Sequence, residues 1–327
     1  MIKPSDLDVI QSEITNQPQM DSVVLNYQEI KNLLTSKYSE MLKAFGKYHA
    51  LYRGIKPKHS SSPVFISSGI QRKSEDHINI GNFYTVILDN DPRWAEFPKR
   101  SESFICASEK SITTSYGIAH YVFPINGAKI GACPKDDIWS VKIVDQPTRL
   151  SFAKFNQYLS ACCKLMNLDL DMSYDQIKNL KFDSKRISEL ANSKMDTGFG
   201  TPDKPNWNLD DKLESLRDCF SGEDKRLQGL KFMIENVGEF IDKYFDPTEL
   251  GFQLLTTDQF QTSGRNECWT NAKSLMMKDE KYQWEFPNEQ EIDFNGEKIR
   301  IKIESDLVYK NPGEILAQMC QEEFGSY

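Results

Sequence analysis

The sequence predicts an α+β protein in which a helical insertion interrupts a β-bearing domain. Segments of strand character occupy 51–145 and return at 251–305, while the intervening 151–246 reads almost wholly as helix. Apolar residues at three- and four-residue spacing mark the chain before residue 50 as helical too. The resulting division is an N-terminal helical segment over 1–50, a β-bearing domain from 51–150 and 247–327, and a helical insertion over 151–246.

Each element has its own justification. "SDLDVIQSEI" opens with the cap-like Ser5, and "VVLNYQEIKNLLTSKYSEMLKAFGKYHA" continues the helical spacing, with Gly46 softening its end. "LYRGI" at 51–55 reads as a short strand, and the Ser-, Pro- and Lys-rich "KPKHSSSPVF" as a loop. "SEDHINIGNFYTVILDN" reads as a helix capped by Ser74 and stopped near Pro92. "SFICAS" is a strand, "EKSITTSYGI" a helical turn or two, "HYVFPI" a strand, and "NGAKIGACP" a turn with a short strand. In the insertion, "LSFAKFNQYLSACCKLMNL", "SYDQIKNLKF", "DSKRISELANS", "DDKLESLRDCF" and "DKRLQGLKFMIENVGEFIDKYF" combine polar starts with helical apolar spacing. The Gly-, Pro- and Asp-rich "NSKMDTGFGTPDKPNWNLDD" is a long loop among them. Strand character returns in "GFQLLTTDQF", "NECWTNAKSLMM" and "EKIRIKIES", before a closing helix in "PGEILAQMCQEEFGSY". Trp269, Met276 and Met277 are expected to pack in the core.

Composition excludes several classes. Hydrophobic residues make up 39% and charged residues 27% of the 327 positions, a globular balance. A net charge of −8, from 40 basic and 48 acidic side chains, argues against a chain that coats nucleic acid. The opening "MIKPSDLDVIQSEITNQ" lacks the apolar core of a signal peptide, and no run reaches the ~20 apolar residues of a membrane span. The seven cysteines are odd in number and contain no C-x-x-C, so reduced thiols in a cytoplasmic setting are expected. The four histidines are widely spaced, and no metal site is expected.

Several carboxylate groupings have plain explanations. Asp169, Asp171, Ser173 and Asp175 alternate as in a calcium loop, but Tyr174 and Leu180 stand where Gly and a carboxylate are required, so an acidic helix start is expected. Asp136 and Asp137 beside Pro134 suit turn chemistry. Neither G-x-x-x-x-G-K-[ST] nor G-x-G-x-x-G is present.

Three segments combine into a candidate site. In "ALYRGI", Arg53 sits between apolar neighbours and before Gly54; a planar guanidinium there suits a phosphate, and equally a carboxylate at a strand edge. In "SFICASEKSITTSYG", the small Cys106, Ala107 and Ser108 end a strand and leave room for a ligand, although Ser108 also suits a helix cap. In "SGRNECWTNAKSLMM", Glu267 opens a strand after a Gly-containing turn, as a rim charge or as a catalytic carboxylate.

Taken in this order, the three segments resemble the mono-ADP-ribosyltransferases with the Arg, Ser-Thr-Ser and Glu motif order, and are similar to bacteriophage members of that class. Tyr52-Arg53-Gly54 resembles the aromatic-Arg-Gly strand, Phe104-Ile105-Cys106-Ala107-Ser108 the strand ending in the triplet, Tyr116 the aromatic of the following helix, and Glu267 the catalytic Glu. The likeness covers 51–145 and 250–305 and leaves out the helical block. It implies a split β-sandwich of the ADP-ribosyltransferase type. It also implies an activity: cleavage of the nicotinamide–ribose bond of NAD, the substrate, with transfer of ADP-ribose to a macromolecular acceptor such as a host protein, in the host cytoplasm or from a virion. Glu267 would stabilise the oxocarbenium-like transition state, Arg53 would clamp the pyrophosphate, and Ser108 would orient Glu267. Tyr52, Gly54, Phe104, Cys106, Ala107 and Tyr116 would line the NAD site, with Phe104 packed under its strand and Tyr116 either in the core or a wall near the nicotinamide. Two departures are plain: Cys106 and Ala107 replace triplet hydroxyls, and Arg265 stands where the family often has a second Glu or Gln tied to arginine acceptors. They favour a second reading, a non-catalytic virion or interaction protein on a relic transferase fold. A third, an NAD glycohydrolase, shares the pocket.

Overall fold

A computed structural model describes residues 24–56, 62–68, 82–144, 149–195, 216, 225–262, 264–294 and 297–325. Ser5 and its helix, residues 57–61, the Ser74 cap, the loop after 195 and most of "DDKLESLRDCF" lie outside them. The fold mixes helix with a large antiparallel sheet, and the chain divides into two compact units. The first comprises 1–70, 104–130 and 255–327; the second, 71–103 and 131–254. The second unit thus takes in 71–103, 131–150 and 247–254 besides the expected insertion.

The strands, in chain order, are β1 (Val24–Asn26), β2 (Leu51–Ile55), β3 (Val64–Ser67), β4 (Phe104–Ala107), β5 (Ile118–Pro124), β6 (Lys129–Ala132), β7 (Lys142–Val144), β8 (Leu150–Ser151), β9 (Gln253–Thr256), β10 (Glu267–Thr270), β11 (Ser274–Lys278), β12 (Tyr282–Phe294) and β13 (Glu297–Lys310). Eight form one sheet in the order β3-β11-β5-β2-β4-β10-β6-β9, and the chain passes between the units within β6 and β9. Three more form the sheet β1-β12-β13.

Local chemistry explains where elements begin. Helical spacing extends back to Val24 in the sequence, but the helix starts at Tyr27 because the Asn26 side chain accepts the Glu29 N–H. Val24–Asn26 instead pair in parallel with Gln283–Glu285 of β12. β12 is a strand that pattern reading misses, for Pro287 and an acidic run obscure its alternation. Pro287 is tolerated because β1 stops opposite Glu285, so no ladder bond is asked of it on that side. On the first unit, Tyr27 stacks on Phe286 at 4.5 Å and donates to Glu322 at 2.6 Å, joining the 27–37 helix to the Pro312–Phe324 helix. Trp269, Met276 and Met277 are buried as expected.

The second unit closes on aromatic rings. Phe155 stacks on Phe240 at 5.9 Å, Phe152 meets Phe245 edge-on at 5.3 Å, and Trp94 meets Phe252 at 4.9 Å while its Nε1–H donates to the Phe245 carbonyl. Tyr84 reaches Phe152 at 5.7 Å, which ties the Phe83–Asn90 helix to this core. That packing is why 71–103 belongs with the helical block. Ser173 forms a capping box with Gln176 and starts the helix Tyr174–Lys178, the acidic helix start expected there. Among the described residues, no helix is long and apolar enough to cross a membrane.

Candidate functional site

The three motif strands lie side by side: β2 next to β4, and β4 next to β10. Tyr52 pairs with Ala107, and Ala107 with Glu267; Cys106 pairs with Cys268 and Phe104 with Thr270. On the other side of β2, Tyr52 pairs with Tyr121 and Arg53 with His120. Directly opposed residues share a face of the sheet and successive ones alternate. Tyr121, Tyr52, Ala107 and Glu267 therefore line one face. His120, Arg53, Cys106, Phe104 and Cys268 line the other.

Arg53 is occupied by the protein itself. β2 is paired with β5 over its whole length but with β4 only at Tyr52, so the two strands part beyond that pair. Into the parting, Arg53 Nη1 donates to the Ile105 carbonyl at 2.9 Å, and its guanidinium lies 5.3 Å from the Phe104 ring centroid. Burial draws the guanidinium below its ordinary value. The carboxylate partner that a strand-edge arginine suggests is replaced by a backbone carbonyl.

Gly54 corrects an expectation. A Cβ there would lie 2.3 Å from the Thr113 carbonyl oxygen and 2.8 Å from the Tyr116 Cβ, so the turn over 110–116 fills the space reserved for a ligand. Gly117 completes the fit, at φ +133°, with the Ile55 carbonyl 2.4 Å from where its Cβ would be. Tyr116 is not core: it is 66% exposed, because its backbone rather than its ring does the packing. Phe104 is buried under its strand as expected.

Ser108 holds a turn. Its hydroxyl donates to the Gly264 carbonyl at 2.7 Å and accepts the Asn266 N–H at 2.8 Å, and its own N–H donates to the Asn266 carbonyl at 2.9 Å. Its hydroxyl proton is thus directed at Gly264 rather than at Glu267. Beside it, Arg265 forks onto Glu109 at 2.7 and 3.0 Å, while Ser111 donates to the same carboxylate. The Ser111 and then the Arg265 hydrogen bonds hold the Glu109 carboxyl below its usual range. Arg265 is therefore one half of a surface clasp.

Glu267 is 7% exposed, at the start of β10. On its face, the Tyr52 and Tyr121 rings lie 5.2 Å apart, and Asp279 is ion-paired with Lys110. Burial, then the Asp279 charge, raises both phenols above their ordinary value. Sequence reasoning missed Tyr121, Asp279 and Lys110. Asp279 follows β11, and its N–H bond to the Ala119 carbonyl brings it near Tyr52. Among the described residues, no three His, Cys, Asp or Glu cluster to hold a metal ion.

Comparison with family models, with curated proteins and with solved structures finds no match to this chain.

Proposed function

We propose that the chain is a non-catalytic interaction protein built on a sheet of ADP-ribosyltransferase type. One observation supports this: Arg53 and Glu267 occupy opposite faces of the strands that carry them. A pyrophosphate clamp and a carboxylate that stabilises the ribosyl cation must act on one bound NAD, within a few ångströms of the breaking bond. A sheet between the two groups defeats that. The occupation of Arg53 by Ile105, of Ser108 by Gly264 and of the space over Gly54 by Thr113 points the same way. The test is incubation of the pure protein with labelled NAD and a cell lysate. No label on macromolecules and no ADP-ribose above the protein-free control is the expected result, and either product overturns this reading.

A second reading, the NAD-dependent ADP-ribosyltransferase, has its own support: β2, β4 and β10 are neighbours in the motif order Arg, triplet, Glu. On it, the bond from ribose to nicotinamide breaks, nicotinamide leaves, and a nucleophile of the acceptor attaches to the ribose carbon, with Glu267 facing the developing cation. Glu267→Gln then abolishes turnover and leaves thermal unfolding unchanged. A Glu267→Gln protein as active as the parent removes Glu267 from the site.

A further inference from the structure

We propose that Cys106 and Cys268 form a redox-sensitive pair that closes to a disulfide between β4 and β10 when the protein meets a hydroperoxide. The two residues are direct register partners on one face of the sheet. Opposed residues of an antiparallel pair have Cα atoms about 4.5 or 5.5 Å apart, inside the span a disulfide bridges. The Ser108 N–H to Asn266 carbonyl bond marks 108/266 as a hydrogen-bonded pair, so alternation makes 106/268 one as well, the wider kind. That separation, about 5.5 Å, falls at the commonest Cα span of a disulfide.

The surroundings select the oxidant. Cys106 is 3% and Cys268 0% exposed, which bars a bulky disulfide, so the oxidant proposed is a small hydroperoxide. Arg53 lies on the same face as Cys106, within electrostatic reach of it. The Cys106 thiolate attacks one peroxide oxygen; the O–O bond breaks, and the departing oxygen takes a proton to leave as water or alcohol. The Cys268 sulfur attacks the sulfenic acid; the S–O bond breaks, and water leaves with the Cys268 proton. Two thiols and one hydroperoxide become one disulfide, one water and one alcohol, or two waters from hydrogen peroxide. The two sulfurs supply the two electrons that the O–O bond takes up.

Position gives the bond an effect. Between Cys106 and Cys268 the chain leaves the first unit at Gly131 and returns at Leu255, so a disulfide closes that excursion at its base. Oxidation then holds β4 to β10 covalently. None of this depends on whether NAD is turned over.

The experiment treats the native full-length protein with graded hydrogen peroxide, alkylates remaining thiols after denaturation, and maps peptides without reduction. Expected is the loss of two hydrogens, located on one cross-linked peptide pair bearing Cys106 and Cys268 and reversed by dithiothreitol. In Cys268→Ser protein, Cys106 stops at the sulfenic acid and is trapped by dimedone. The proposal is overturned if Cys106 and Cys268 remain fully alkylated at peroxide concentrations that oxidise other cysteines of the chain, or if the cross-link joins different residues. The wild-type map decides alone should the variant fail to fold.

Discussion

Arg53 and Gly54 each answer to a backbone carbonyl. Ile105 belongs to a non-hydrogen-bonded pair with Trp269, so its C=O faces β2, which has already parted from β4. The Arg53 guanidinium meets it there. Arg53→Ala therefore leaves a carbonyl short of a donor and is expected to cost about 2 kcal/mol, read from the urea midpoint. Arg53→Lys restores part of that, for an ammonium reaches one acceptor but cannot lie flat over Phe104. An unchanged midpoint for the alanine variant removes this role. Gly54→Ala drives a methyl against the Thr113 carbonyl at 2.3 Å and is expected to cost about 3 kcal/mol. A melt indistinguishable from wild type sinks that account.

At the scale of an element, two turns set the geometry around them. The 264–266 turn that launches β10 hangs on the Ser108 hydroxyl. Ser108→Ala removes both bonds and is expected to cost between about 1 and 2 kcal/mol, with the Asn266 amide exchanging faster. In the second unit, the 92–94 turn hangs on Asp91, which accepts the Arg93 N–H at 3.0 Å and Nε–H at 2.9 Å. Burial alone would raise the Asp91 carboxyl, but the Arg93 hydrogen bonds outweigh it and hold the carboxyl below its ordinary value. A depressed folded value stabilises above the unfolded pKa, about 4, and the contribution disappears as the pH falls through the lowered value. Asp89, half-buried and raised by desolvation, acts with the opposite sign, so the difference between wild type and Asp91→Asn isolates Asp91. That difference is expected to be full near pH 6 and to shrink below about pH 4; a constant difference across this range would contradict it.

Across the whole molecule, local pattern and non-local register were unequally legible. The strands at 51–55, 104–107 and 118–124, the helix at 152–165 and the closing helix all follow from spacing and caps. Register does not, because a strand's partner is chosen by the rest of the sheet. That is why the motif order is visible in the sequence while the division of Arg53 and Glu267 between two faces is not. The same holds for Ser108, whose cap-like character was legible but whose acceptor lies 156 positions away at Gly264. The parting of β2 from β4 has a further mechanical consequence. It leaves β3-β11-β5-β2 and β4-β10-β6-β9 as two four-stranded plates joined in register at one residue pair, Tyr52 with Ala107. Such a joint is where a sheet breathes. In deuterium oxide the Ile105 amide, which faces the joint, should exchange ahead of the Cys106 amide, which faces β10, at a rate set by the two plates flexing apart rather than by global unfolding.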